Sequence, residues 1–350
     1  MRTMKALVYE KPGRSNGSIR NVPYPSCGER QIVIRVLSCG ICKPAETSHD
    51  HNGSALGTYP CIPGHEFAGV IEEVGDRVAG YKVGDRVTAD NGVPCSRCFY
   101  CQMGKPAYCL DFGSLGHNIS GGMAQYVVVN ESATYHIPDS ISTNAACLCE
   151  LIGCCLNCID RAGITFGQSV VVLGAGSSGL ILAQLAKSVG AGSVVALDVV
   201  QSKLDLAKKL GLMPVKVERD DFSKHEGLVK ELFPYGADVI LDTTGDAVLV
   251  MRSIELLKKG GVFVNYSFPT TLKRMVEIDM AKFILNELTY VGSTFGTYRF
   301  QKALTALKEG MLDVESIITG EFPLDNYFEA LDTNITDPNS IKVIIHPTHN

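Results

Sequence analysis

Three groups of residues have types and spacings that could do chemistry. Cys95, Cys98, Cys101 and Cys109 stand as C-x2-C-x2-C-x7-C in GVPCSRCFYCQMGKPAYC. Four thiolates at this spacing can close a tetrahedron about zinc and leave no position open, stapling a loop that buries little. An iron–sulfur cluster is the main competing occupant, and unliganded thiols this dense would oxidise. A second set is scattered: Cys42 in SCGICKPAE, His65 and Glu66 in PGHEFAG, and Glu150 in LCELIGCC. Zinc that does chemistry takes about three ligands of these types and keeps one position for water or substrate. The spacing alone does not bring them together. Read singly, Gly-His-Glu is a turn with a surface pair and a buried cysteine is a small apolar side chain. The third group is Gly174-Ala175-Gly176-Ser177-Ser178-Gly179, a G-x-G-x-x-G turn, with Asp198 19 residues beyond it.

The turn lies where a dinucleotide needs it. SVVVLGAG (169–176) is a continuous apolar run, the mark of a strand buried on both faces, and SSGLILAQLAKSVG (177–190) reads as the helix it opens. The first glycine makes the tight turn, the second lets backbone approach a pyrophosphate, and the third allows close helix–strand packing. Ser177 and Ser178 start the helix, whose free N–H groups favour phosphate. Asp198 ends the next apolar run, SVVALD (193–198), and an acid there accepts from a ribose 2′-OH and repels a 2′-phosphate. No arginine follows it, so NAD is expected rather than NADP. The competing reading is a Gly-rich turn in a nucleotide-free α/β domain.

SKLDLAKKLG (202–211), ADVILDTT (237–244), a helical segment to Lys259 and GGVFVNYS (260–267) continue the strand–helix alternation of a doubly wound parallel sheet. Before it, QIVIRVL (31–37), FAGVIEEVG (67–75) and AQYVVV (124–129) are short strands among Gly and Pro, the texture of a small irregular all-β unit. After it come a helix, YRFQKALTALKEG (298–310), and a strand, IKVIIHP. The expected architecture is a β-rich catalytic domain of residues 1–152 and 290–350, with an α/β domain of 153–289 inserted.

Composition limits what such a chain does. Its 350 residues suit two domains, and 45% hydrophobic with 20% charged residues allows sizeable cores. A net charge of −5 gives no attraction to nucleic acid or an anionic membrane surface. No run approaches the roughly 18 apolar residues of a membrane span. The start, MRTMKALVYEKPG, lacks the apolar core of a signal peptide, so the cytoplasm is the expected compartment. Thirteen cysteines, an odd number clustered in the first half, point to metal rather than disulfides.

Gly64-His65-Glu66-x2-Gly69-x5-Gly75-x2-Val78 is the zinc-containing alcohol dehydrogenase signature. With the cysteine loop, the GAGSSG turn and Asp198, the chain resembles a zinc-dependent medium-chain dehydrogenase from end to end. Within that family it is most similar to the polyol branch, the sorbitol, galactitol-phosphate and threonine dehydrogenase relatives. The resemblance implies a GroES-like irregular β-barrel catalytic domain with an inserted Rossmann domain, one catalytic and one structural Zn2+ per chain, NAD, and a homodimer or homotetramer. It implies Cys42 and His65 as catalytic ligands. Glu66 ligates the metal or stands just behind its ligands. Glu150 is the third ligand, with Cys154 as the substitute if the register slips by a helical turn.

The sequence departs from the family at informative places. Pro44 and Ala45 stand where Ser or Thr, then Asp, is usual, so the hydroxyl that passes the substrate proton outward is missing; Thr47, Ser48, His49 or water could replace it. Leu151 stands for the proline after the third ligand. Gly296 falls about where sorbitol dehydrogenases carry an arginine, Arg299 being the nearest candidate. The chemistry implied is reversible oxidation of a secondary hydroxyl of a polyol, sugar alcohol, its phosphate or a related alcohol, with zinc acidifying the hydroxyl and NAD taking the hydride. The rivals are a zinc-free reductase of the same superfamily, which lacks the ligand set, and a NAD-binding sensor that has lost catalysis. Cys147, Cys149, Cys155 and Cys158 read as apolar packing. His117, His225, His346 and His349, with Asp50 and His51, read as surface or loop residues, and lysines 208–209 and 258–259 as solvated helix ends.

Overall fold

The computed structural model describes residues 2–267 and 275–348, so His349 lies outside the described residues. By its contacts the chain falls into two units. One is Met1–Gly153 with Gly296–Glu309 and Ile318–Asn350; the other is Cys154–Phe295 with Gly310–Ile317.

The first unit opens with an antiparallel hairpin of β1 (Thr3–Tyr9) and β2 (Gly17–Pro23). β3 (Gln31–Gly40), β4 (Glu66–Val74), β5 (Arg86–Ala89), the short β6 (Gly92–Val93) and β7 (Gly113–Ser114), β8 (Tyr126–Asn130) and β9 (Thr134–His136) follow. Between and after them lie α1 (Lys43–Asp50), α2 (Phe99–Gln102), α3 (Thr143–Cys147) and the first turn of α4 (Cys149–Ala162), the rest of which belongs to the second unit.

The second unit alternates strictly. β10 (Ser169–Leu173), α5 (Ser177–Ser188), β11 (Ser193–Asp198), α6 (Gln201–Lys209) and β12 (Met213–Lys216) make its first half. α7 (Phe222–Leu232), β13 (Ala237–Asp242), α8 (Ala247–Ile254), β14 (Leu257–Asn265), α9 (Met280–Asn286) and β15 (Thr289–Gly292) make its second. The chain then returns to the first unit with α10 (Phe300–Lys308), β16 (Ile318–Pro323), α11 (Tyr327–Thr336) and β17 (Lys342–His346).

β3 organises the first unit. It is buried along most of its length, pairing with β4 on one side; on the other it pairs with β8 along its first half and with β17 at its last two residues. The sheet runs β16-β17-β3-β4-β5-β9, with β8 branching from β3. Leu7, Ile32, Ile34, Phe67, Ile71, Met123, Tyr327 and Ile345 fill its core. In the second unit the order is β12-β11-β10-β13-β14-β15, all parallel. This 3-2-1-4-5-6 arrangement binds dinucleotides at the carboxyl ends of its central strands, where the order reverses. The runs read as doubly buried strands are so: Val170, Val171, Val172 and Leu173 of β10 have no exposure.

The helix expected to reach Lys259 stops at Ile254, so Lys258 and Lys259 lie in β14, and Lys258 pairs with Asp238. His225 is fully buried on α7, and His346 ends β17 with its ring bonded to Leu37 O and Glu321, so neither is a surface-loop residue. No helix among the described residues is long and apolar enough to cross a membrane.

Candidate active site

Strand register assembles the site. Cys39 and Gly40 at the end of β3 face Phe67 and Glu66 at the start of β4, and Ile345 and Ile344 of β17 on the other side. Cys42, two residues past β3, is the N-cap of α1, and His65 immediately precedes β4. The segment before His65 is pinned by backbone bonds from Gly121 to Ile62 O, Gly122 to Gly64 O and Met123 to Pro63 O, 2.7–2.9 Å long. Cys42, His65 and Glu66 consequently each present a donor atom within 4.8 Å of the others. Glu150 lies outside that group, 9% exposed in the first turn of α4, yet its charge acts on His65.

β17 brings a residue that spacing did not suggest. Lys342 Nζ sits 2.7 and 2.5 Å from the two carboxylate oxygens of Glu66 and donates to Ile41 O at 2.9 Å. Both side chains are sealed, at 3% and 1% exposure. Gly40 makes room for them, since a Cβ there would stand 2.3 Å from Glu66 Oε2 and 3.1 Å from Lys342 Cε. Burial alone would lower the Lys342 pKa; the charges of Glu66 and Cys42 outweigh it and raise it.

His65 shows the same contest. Burial lowers its pKa, but the Cys42 thiol hydrogen-bonded to it, with Glu150 and Glu66, drives it up to about 10. Anionic donors crowded on one buried imidazole call for a cation, and a set of sulfur, nitrogen and carboxylate oxygen suits zinc. The donors fit the ion.

His65 also ends a column of rings. It stacks on His117 at 4.9 Å, His117 on His49 at 5.7 Å, and His49 on Tyr9 at 5.9 Å. His117 is thus a site residue, and burial holds its pKa well below the usual histidine value. Of the groups expected to replace the missing relay hydroxyl, Ser48 donates to Pro44 O at 2.7 Å, and His49 is engaged at both nitrogens by Tyr59 OH and Gly116 O. Thr47 Oγ1 is buried without a partner. Asp50, read as a loop residue, is buried on α1 and accepts from Tyr9 OH at 3.0 Å. His51 is exposed, as expected. Gly296 and Arg299 lie beside Gly153 of α4, the residue three past Glu150.

Cys95, Cys98, Cys101 and Cys109 form a second group within 4.8 Å. A tetrahedron with arms of about 2.3 Å has edges of about 3.8 Å. The Cys98 sulfur lies 3.6 Å from that of Cys101 and 3.9 Å from that of Cys109. Backbone N–H groups of Cys95 and Asp111 donate to Cys109 Sγ, and those of Leu110 and Cys101 pull the Cys98 pKa down to about 6. The sulfurs are free thiols whose spacing and donors suit zinc.

The dinucleotide turn has its expected shape. Gly174 takes φ +95°, and a Cβ on Gly179 would lie 1.8 Å from Gly174 O, so this turn closes only with glycine at both. Beside Gly176 there is open space, and α5 starts there without a side-chain cap, its first N–H groups free for phosphate. Asp198 accepts from Ala175 N–H at 2.7 Å and Val200 N–H at 2.8 Å, one bond on each oxygen, fixing its carboxylate at the mouth of the turn. Lys216 stands opposite Asp198 in register and is tied to Val199 O at 2.6 Å.

Residues 28–139 match the model of the alcohol dehydrogenase GroES-like domain, and 179–309 that of the zinc-binding dehydrogenases. D-arabinitol dehydrogenase 1 of Uromyces fabae is 31% identical over 98% of this chain and 97% of its own. The chain belongs to the zinc-containing alcohol dehydrogenase family. Among solved structures, a zinc-binding dehydrogenase of Sinorhizobium meliloti 1021 bound to NADP superposes with TM-score 0.91, at 29% identity over 99% of this chain and 100% of the other. An alcohol dehydrogenase of E. coli CFT073 complexed with NADH gives 0.89, at 25% identity over 99% and 100%. In this family of oxidoreductases the GroES-like and Rossmann assignments of the two units hold. The residues that sequence reading missed, Lys342 and His117, reach the site through long-range contacts.

Two outcomes follow from these contacts. Lys342→Met leaves Glu66 buried without a counter-charge and should lower the stability of metal-free protein by about 3–5 kcal/mol in urea unfolding, with zinc returning part of the loss. His49 is held neutral, burial lowering its pKa from 6.5 to about 4. The unfolded chain therefore binds a proton that the folded one refuses between those values, and the contribution, about 3 kcal/mol, is lost as pH falls from 6.5 toward 4. His49→Gln should flatten that part of the curve of urea midpoint against pH.

Proposed function

We propose that this chain oxidises a secondary hydroxyl of a polyol, a sugar alcohol or its phosphate with NAD+. The observation that carries the reading is the convergence of Cys42, His65 and Glu66 on one point, in a chain that also has the glycine turn and Asp198. Likeness to an arabinitol dehydrogenase supports the polyol class.

Cys42, His65 and Glu66 hold the catalytic zinc, with Glu150 adding a carboxylate beside His65. Cys95, Cys98, Cys101 and Cys109 hold the structural zinc. When bound, zinc supplies a Lewis acid that acidifies a hydroxyl, and NAD+ supplies the hydride acceptor. The protein's own part is placement and charge. Lys342 holds the Glu66 carboxylate in place through both of its oxygens. Gly174, Gly176, Ser177, Ser178 and Gly179 seat a pyrophosphate on the start of α5, and Asp198 receives the ribose 2′-OH while disfavouring a 2′-phosphate. Thr47 Oγ1, with no other engagement, is the side chain left to pass the substrate proton. A silent NAD-binding sensor is not favoured, because sensing needs no converged metal donors.

We place this enzyme in the cytoplasm and take it to be a homodimer or homotetramer. β15 is the outer strand of its sheet, with Tyr290 37% exposed, and the neighbouring α9 exposes Met280, Ile284 and Leu285. An unpaired edge beside apolar side chains is a template for a second copy. Sedimentation equilibrium should give at least twice the chain mass; a monomer at micromolar concentration refutes the assembly.

The zinc-replete protein should produce NADH from one stereochemical group of polyols at a kcat/KM about 100-fold above that for simple secondary alcohols, since polar groups matched to extra hydroxyls reject substrates lacking them. NADP+ should serve at least about 10-fold less well. No turnover across polyols, sugar phosphates, 2,3-diols and threonine overturns the reading.

A further inference from the structure

β12 ends on a cation beside the acid that selects the cofactor. Lys216 is the register partner of Asp198 across the parallel pair of β11 and β12. Partners in such a pair point to the same face of the sheet, from strands about 4.8 Å apart. Two opposite charges therefore stand side by side at the carboxyl end of the sheet, where this fold takes a dinucleotide. Neither side chain is sealed; both are half-buried.

Their hydrogen bonds keep the two charges apart. Asp198 gives one carboxylate oxygen to Ala175 N–H and the other to Val200 N–H, so backbone holds its charge. Lys216 Nζ donates at 2.6 Å to Val199 O, the carbonyl of the residue that follows Asp198. A neutral carbonyl occupies one of the three N–H donors of an ammonium and offsets none of its charge. The cation thus rests on the same short segment, Val199 and Val200, to which the acid is tied.

That segment carries no arginine, which is why NAD is expected here. The missing positive charge is supplied from the neighbouring strand instead. We propose that Lys216 is a second determinant of cofactor choice, a latent ligand for a ribose 2′-phosphate whose effect the Asp198 carboxylate overrides. The preference for NAD then rests on one carboxylate, and the cation that NADP needs is already built in. This goes beyond the reading of the glycine turn and Asp198 as a dinucleotide site, and it rests on that reading.

Equilibrium binding of NADH and NADPH, followed by the fluorescence of the reduced nicotinamide, tests this without turnover. Lys216→Gln should weaken NADPH about 10-fold and change NADH by less than about threefold, the loss of one charge-assisted contact to phosphate. Asp198→Asn keeps an acceptor for the turn and removes the charge. It should improve NADPH relative to NADH by at least about 10-fold, and adding Lys216→Gln should abolish that gain. Lys209→Gln, at the exposed end of α6, removes the same charge elsewhere and should leave the ratio of the two affinities unchanged. Where wild type binds NADPH too weakly for a further loss to be read, the Asp198→Asn background decides; where that variant does not fold, the single Lys216→Gln decides. A Lys216 that only ties the loop to β12 lowers both affinities together. Equal losses for NADH and NADPH, or a ratio that Lys216→Gln does not move, overturn the inference and leave the dinucleotide site standing. A wild-type chain that binds neither nucleotide overturns the dinucleotide reading itself.

Discussion

A buried lysine holding a buried glutamate is the constraint on which the first unit depends. Glu66 and Lys342 are almost wholly sealed, and neither charge is tolerable in that place without the other. Their pairing requires β3, β4 and β17 to be in register, because Gly40 sits between the two strands that carry them. Once the strands align, Cys42 and His65 fall beside Glu66, since each is a few residues from a strand end in that alignment. The ion pair therefore couples the fold's register to the geometry of the metal donors. A one-residue slip would send the partner side chain to the opposite face.

In the second unit the equivalent constraint is a close approach rather than a charge. Gly179 can lie under Gly174 O only because it has no side chain, and this contact sets the angle at which α5 leaves β10. Asp198 then reaches back from β11 to the Ala175 N–H, locking the turn from the neighbouring strand. The phosphate cradle and its selecting acid are thus one hydrogen-bonded object, formed before any cofactor arrives.

What could be read from the sequence was what is encoded locally. The glycine turn, Asp198 and the four cysteines each lie within one stretch of chain, and their spacing carries the chemistry. Cys42, His65 and Glu150 were placed by likeness to a family and not by spacing, and the structure draws Cys42, His65 and Glu66 together while holding Glu150 just outside. Lys342 carried no signal, being one lysine opening a strand 276 residues from its partner. His117 lies in a turn, as its neighbours Gly116 and Asn118 suggest, and only stacking between distant segments makes it part of the site. The misplacement of Lys258 and Lys259 is local in origin: charged residues at the start of a parallel strand resemble the end of a helix.

The place of Lys342 in the chain bears on how the molecule is made. The chain emerging from a ribosome contains both cysteine sets and His65 long before it contains β17. Until that strand docks, Glu66 faces no buried cation and the last two residues of β3 have a partner on the β4 side alone. The counter-charge of Glu66 thus comes from a strand 276 residues further along, a non-local closure of the kind that slows folding. For a protein that carries thiols and can acquire metal, such an order means that the Glu66 carboxylate gains its buried counter-charge only once β17 has docked.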